Sequence, residues 1–390
     1  MSGYEDDVPA YLTVRMTQQE GPIAAFADQE AWQARERYPM LHGAGLAEFF
    51  WARELETGGW ELSGSGACWP QHARDSLGSH FRRRAEKAED AGDAGDAAGT
   101  RRWMAAALRM DRAVVDEVRV LGERFRIVRA SHFIRSGRAG PEPPRPSDPD
   151  PAEPGEAHQV RSRTKGFVVD PHTGTGLSEG ILKLDLLPLV TVMAGAPDGI
   201  NDDARRAVRR HPGGVLLPAA FLVSDRVDGK WGFHDPGSTF STPQGARDAL
   251  ACWLRVSGPF DLRLGEEKRA QYAAAADRLD ERRGNAVSVD GHRFRVTRVE
   301  RLIRIGPDGP ERPRPSDYDP EPPVEIQTRQ LREKGVIDEE GNELNPREPD
   351  ARAMELTRLW RDEEARRLAA KSRRKRDGGA TDGRSPRSPR

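Results

Sequence analysis

Apolar positions along this chain follow two periods, and each pattern appears twice. Ala246, Leu250, Trp253 and Leu254 stand at i, i+4, i+7 and i+8, and Ala73, Leu77, His80 and Phe81 repeat the stripe. That spacing predicts two helices with one face to a core. Proline at 70 and at 243 suits the first helical position, where its missing N–H would have no intrahelical partner anyway. Thr242 is a predicted N-cap of the second helix, whereas Trp69 has no side-chain acceptor for that role. An earlier helix ends at Pro39 or Pro212, because proline disfavours helical backbone in the residue before it.

Alternation of period two predicts strands between these helices. Each copy is expected to open on a short strand, at residues 11–14 or 167–169. A strand pair then turns at Gly58-Gly59 or Asp228-Gly229, with Trp60 and Trp231 opening the return strands. An alanine-rich third helix passes through residues 105–108 or 273–276, and a hairpin closes the copy at 118–134 or 287–303. The sequence therefore reads as an α+β chain, helices packed on small antiparallel sheets.

The doubling extends to the residues themselves. Residues 122–151 align with 291–320 without a gap and share 18 of 30 positions, where chance gives roughly two. Upstream the offset changes from 169 to 173, placing four additional residues of the first copy in the low-complexity stretch 91–99. One module of 8–150 and a second of 160–325, related by an approximate two-fold, are predicted. A charged helix at 349–371 and a disordered basic tail at 372–390 are predicted to follow.

Composition narrows the function classes. A net charge of −1 gives no overall attraction to nucleic acid or membrane. Residues 1–10 are acidic and lack a signal peptide's basic start, and the most apolar stretch, 180–196, is interrupted by Lys183 and Asp185. Two cysteines, Cys68 and Cys252, make neither a disulfide framework nor a zinc set. The expectation is a cytoplasmic protein with no metal and no cofactor.

Three stretches carry candidate chemistry. The glycine-rich segment 170–183 offers Asp170, His172, Thr173, Thr175, Ser178 and Lys183 for a phosphate or another small ligand. A plain glycine turn, with His172 in solvent and Ser178 capping a helix, is the more ordinary expectation, since the segment lacks a full phosphate-loop pattern. The closing hairpins put Arg124 and Arg126, or Arg293 and Arg295, on one strand face with Arg298 nearby, a candidate grip on a nucleic-acid backbone. Solvated arginines, or arginines paired with acidic segments, are the ordinary alternative. The proline-rich arms, 141–148 and 310–317, should be extended, and Asp148 with Asp150, or Asp317 with Asp319, make poor cation cages. No catalytic set can be assembled from spacing alone.

The segments VPAYLTV, PQxARDxL, TKGFVVDPHTGTGLSEGILKLDLL, HPGGVLLP and RPRPSDYDP resemble an uncharacterised actinobacterial family, known as a domain of unknown function and seen mostly in streptomycetes. The resemblance covers nearly the whole chain and implies a bacterial cytoplasmic protein, with no activity or site residue to carry over. The leading expectation is accordingly a non-catalytic binding or scaffold protein with a protein partner. The alternatives are a small-ligand enzyme or sensor at 170–183 and a nucleic-acid binder at the arginine hairpins.

Overall fold

The computed structural model describes residues 8–17, 21–64, 66–90, 97–190, 198–346 and 348–381. Residues 91–96 of the low-complexity stretch and 382–390 of the expected tail lie outside the described residues. The fold is mixed α+β, built on one antiparallel sheet.

Four long strands, two from each half of the chain, form its middle. Strand β1 (Met40–Glu54) turns through Gly58 and Gly59 into β2 (Trp60–Ser63), and β3 (Glu117–Val120) turns into β4 (Glu123–Gly137). A two-residue stub, β5 (Gly140–Pro141), folds back on the end of β4. In the second half β7 (Gly213–Val227) with β8 (Lys230–Phe233), and β9 (Ala286–Val289) with β10 (His292–Gly306) and β11 (Gly309–Pro310), follow the same order. Asp290 and Gly291 turn β9 into β10 with φ of 50° and 79°, the pair of positive angles that a tight hairpin needs to match strand twist. The sheet order is β6-β2-β1-β4-β10-β7-β8, with β3 and β5 on β4 and β9 and β11 on β10. Strand β6 (Lys165–Val169), which contains the predicted strand 167–169, pairs with β2. The predicted strand at 11–14 is instead a single 3-10 turn, Ala10–Leu12, because so short an apolar run carries no period of its own.

Helices cover the sheet. The first half contributes α1 (Pro22–Arg37), α2 (Pro70–Asp90) and α3 (Ala97–Arg112). The second contributes α4 (Leu177–Leu186), α5 (Asp198–Arg210), α6 (Pro243–Arg255), α7 (Ser257–Asp261) and α8 (Glu266–Arg282). Thr242 caps α6 as expected, its hydroxyl accepting from the Gly245 amide at 3.2 Å. The two apolar stripes face two cores. Leu77, Phe81, Trp103, Met110 and Phe125 form one, and Leu250, Leu254, Tyr272, Leu279 and Phe294 form the other. His80 packs in tilted contacts 4.5 Å from Trp51 and 5.8 Å from Phe125, and burial holds its imidazole down at about 4.

After the second half come α9 (Val324–Glu333) and α10 (Ala351–Thr381). The charged helix predicted to stop at 371 continues ten residues further, carried by the Arg and Lys run at 373–376 and by the absence of proline, even though Gly378 and Gly379 are poor helix formers. Arg366 and Arg367 pair with Glu363 on the same helix, which faces Arg255 of α6. No helix among the described residues is long and apolar enough to cross a membrane.

Candidate functional site

The two proline-rich arms decide which charges remain for function. Both leave the sheet at a stub strand and cross to the other half of the chain. The Arg298 amide donates to the Glu142 carbonyl at 2.9 Å, and the Arg129 amide donates to the Glu311 carbonyl at the same distance. Asp148 then receives the Arg298 guanidinium at 3.1 Å, and Asp317 receives that of Arg129 at 3.0 Å. Two residues on, Asp150 accepts from the Gln244 amide at the start of α6 and pairs with Arg247, while Asp319 accepts from the Gln71 amide at the start of α2 and pairs with Arg74. Each D-x-D pair is thus split between a strand arginine and a helix terminus. No group of three or more His, Cys, Asp or Glu side chains among the described residues could hold a metal ion.

The hairpin arginines lie largely within this arrangement. Arg124 pairs with Glu117 and Glu54. Arg126, only 1% exposed, pairs with Glu117, donates to the Pro310 carbonyl at 2.9 Å and lies over the Trp60 ring. Arg295 mirrors it, donating to the Pro141 carbonyl at 2.8 Å over the Trp231 ring. Arg298 pairs with Asp148 and Glu300. Arg293 is exposed. Gly140 is forced by the same packing, since a Cβ there would lie 2.4 Å from the indole nitrogen of Trp231.

The glycine-rich segment is pinned on both sides. Asp170 closes a turn by accepting from the His172 amide at 2.8 Å. Thr175 exchanges backbone hydrogen bonds with Arg15 and Thr17 at 2.8 Å each. Ser178 does not cap α4. It sits inside the first turn and donates its hydroxyl to the Asp28 carbonyl of α1 at 3.1 Å. Gly180 lies where a Cβ would meet Met16 at 2.7 Å, so the segment closes tightly on the N-terminal strand-like residues.

Between α1, this segment, the first arm and β7 lies a cleft of about 450 Å³. Asp170, Thr173, Thr175, Ser178 and Lys183 all line it; His172 is exposed and does not. Arg298 from the other candidate set lines it too, with Arg35, Arg135, Arg145 and Arg163. Arg35 and Arg135 share Asp185, and Arg145 reaches Glu142 and Glu300. Lys183 and Arg163 make no hydrogen bond or ion pair with any described residue. Lys183 is 3% exposed, and burial alone draws its ammonium below the ordinary lysine range. Arg163 is exposed overall, yet the protein packed around its guanidinium lowers it, against the pull of Asp148.

Sequence spacing singled out Lys183 but not Arg163, which reaches the cleft from a linker with no local pattern; Arg135 recurs as Arg304 among the hairpin arginines. Arg145 did carry a signal, its recurrence as Arg314 in the second arm. No curated protein and no solved structure matches the chain. One family model does match, over residues 21–320, and a span that takes in both halves and ends at the second arm shows that the chain belongs to the family of unknown function DUF5954.

Proposed function

We propose that this protein is a duplicated scaffold that binds a small anion, carrying phosphate or carboxylate, in the cleft beside Lys183. The observation behind the reading is Lys183, 3% exposed and without a hydrogen bond or ion pair to any described residue, in a cleft that Arg163 also lines. A buried cation with no paired anion is costly, so an anion entering this cleft meets a charge that is already largely desolvated. Thr173, Thr175 and Ser178 supply hydroxyls around it.

Modules of 8–150 and 160–325 related by a pseudo-two-fold explain how the cleft is held. The offset of 169 makes Arg301 the equivalent of His132, and those two residues pair across β4 and β10. Phe133 pairs with Glu300 and Ser131 with Leu302, so each position meets the equivalent of its neighbour on the other side. An axis between His132 and Arg301 accounts for that register. The crossed arms obey it as well, which is how the arm of the first module comes to wall the cleft beside α4.

The reading is tested by thermal shift and calorimetric titration with inorganic phosphate, pyrophosphate and citrate. At least one should raise the midpoint of the wild-type chain in a concentration-dependent way. Lys183→Met should remove that response, while Arg37→Ala, on the exposed face of α1, should keep it. No response to any of the three anions, or an equal response in Lys183→Met, rejects the site.

A further inference from the structure

A second cleft, of about 700 Å³, lies against β1 and the start of α2. Its lining includes Trp69, Phe49, Phe240 and Tyr318, and on one edge Cys68 and His72. Cys68 lies in the bend before α2 and His72 in the first turn of that helix, which brings the Cys68 sulfur 3.9 Å from Nδ1 of His72, within reach of a sulfur hydrogen bond. Nε2 of the same ring lies 3.2 Å from Oε2 of Glu321, just beyond the second arm. The ring rests 4.7 Å from Trp69, which meets Tyr318 edge-on at 6.1 Å. The imidazole is therefore held from three directions.

The order sulfur, imidazole, carboxylate is that of an activated thiol. A carboxylate accepting at Nε2 selects the tautomer with its proton there, and leaves Nδ1 free to accept from the thiol. Asp75 on α2 also acts on the imidazole, while Asp319 nearby in the chain accepts from the Gln71 amide and pairs with Arg74. Arg129 and Arg314, on the far lining, are already tied to Asp317 and Glu311, so the aromatic walls set the character of the cleft.

We propose that Cys68 and His72, positioned by Glu321, form a nucleophilic thiol site for small esters or thioesters with an apolar acyl group. Nδ1 of His72 takes the thiol proton as the sulfur attacks the acyl carbon. The bond from that carbon to the leaving oxygen or sulfur breaks, and the leaving group departs with the proton from His72. Water, giving its proton to the same nitrogen, then attacks the acyl carbon; the carbon–sulfur bond breaks, the carboxylic acid is released and the sulfur recovers the proton. This site is separate from the Lys183 cleft and does not depend on it.

The probe is p-nitrophenyl butyrate with the full chain. Wild type should release a burst of one equivalent of p-nitrophenolate per chain and carry a butyryl group on Cys68, located by peptide mass mapping. Cys68→Ser should lose both, and Cys252→Ala should keep both. His72→Gln should slow acylation by about 10²-fold, with a rate that climbs with pH as a free thiol's does, while the wild-type profile is flatter. Glu321→Gln should move the wild-type profile toward that of His72→Gln, and Glu321→Asp should restore part of it. All four positions are tested in chains with an unchanged circular dichroism spectrum and thermal midpoint. Acylation of wild type no faster than that of N-acetylcysteine at the same pH overturns the proposal. So does a His72→Gln rate equal to wild type, or a burst that survives Cys68→Ser.

Discussion

Glu48 shows how one buried charge is held in this fold. Its carboxylate receives the Arg301 guanidinium at 2.8 Å and lies 3.4 Å from Nε2 of His132, at the centre of the sheet. Burial pushes the carboxyl up, but Arg301 and His132 together outweigh it and bring it down to about 2. A carboxyl whose folded pKa lies below its unfolded value stabilises the fold above the unfolded pKa, and that contribution is lost as pH falls through the folded one. Glu48→Gln should therefore cost about 3 kcal/mol near neutrality, because it strands a buried arginine. The gap between the urea midpoints of wild type and variant should close as pH drops from about 4.5 toward about 2. A gap that stays constant over this range would show that the carboxylate is not ionised in the folded chain. Nothing in the local sequence announced the cluster, since its three members stand on three different strands. Lys183, by contrast, was visible from the glycines around it, although its isolation was not.

At the scale of elements, the arms matter most. Proline makes each one extended, and that much follows from composition. Their path across to the other half follows from Asp148 and Asp150, and from Asp317 and Asp319, finding arginines and helix amides there. Asp148→Ala and Asp317→Ala each remove one partner of a buried ion pair and should destabilise the chain by about 3 kcal/mol. Asp150→Ala and Asp319→Ala uncap a helix start as well as leaving Arg247 or Arg74 unpaired, and should also destabilise. Chemical denaturation of the four variants measures all of these losses; a loss within about 0.5 kcal/mol of zero, as for an exposed pair, would mean that the arms only rest on the surface.

For the whole molecule, a sheet that continues from β4 into β10 and arms that cross both ways leave no boundary at which one half unfolds first. Heating should give one transition, reported together by Trp51, Trp60 and Trp103 in the first half and by Trp231 and Trp253 in the second. Calorimetric and van't Hoff enthalpies should agree. Asp150→Ala, on the arm of the first half, should lower this single midpoint without splitting it. Two resolved transitions would show that the halves are tethered rather than interlocked.

What the sequence determined by itself is local. The stripes at Ala73–Phe81 and Ala246–Leu254, the proline helix starts, the tight turns and the Thr242 cap follow from spacing and residue type, and each stands where those rules place it. Only the tertiary structure decided which charges are used and which are left over. Arg126, Arg295 and Arg298 read in the sequence either as solvated or as paired with the acidic arms, and it is the arms, more than a hundred residues away, that cover them. Likewise Lys183 finds no partner among the described residues, and Glu321 comes to meet His72, 249 positions earlier in the chain. Partners so distant are chosen by packing, because a side chain's period reports the face it occupies and carries no information about what will be laid upon it.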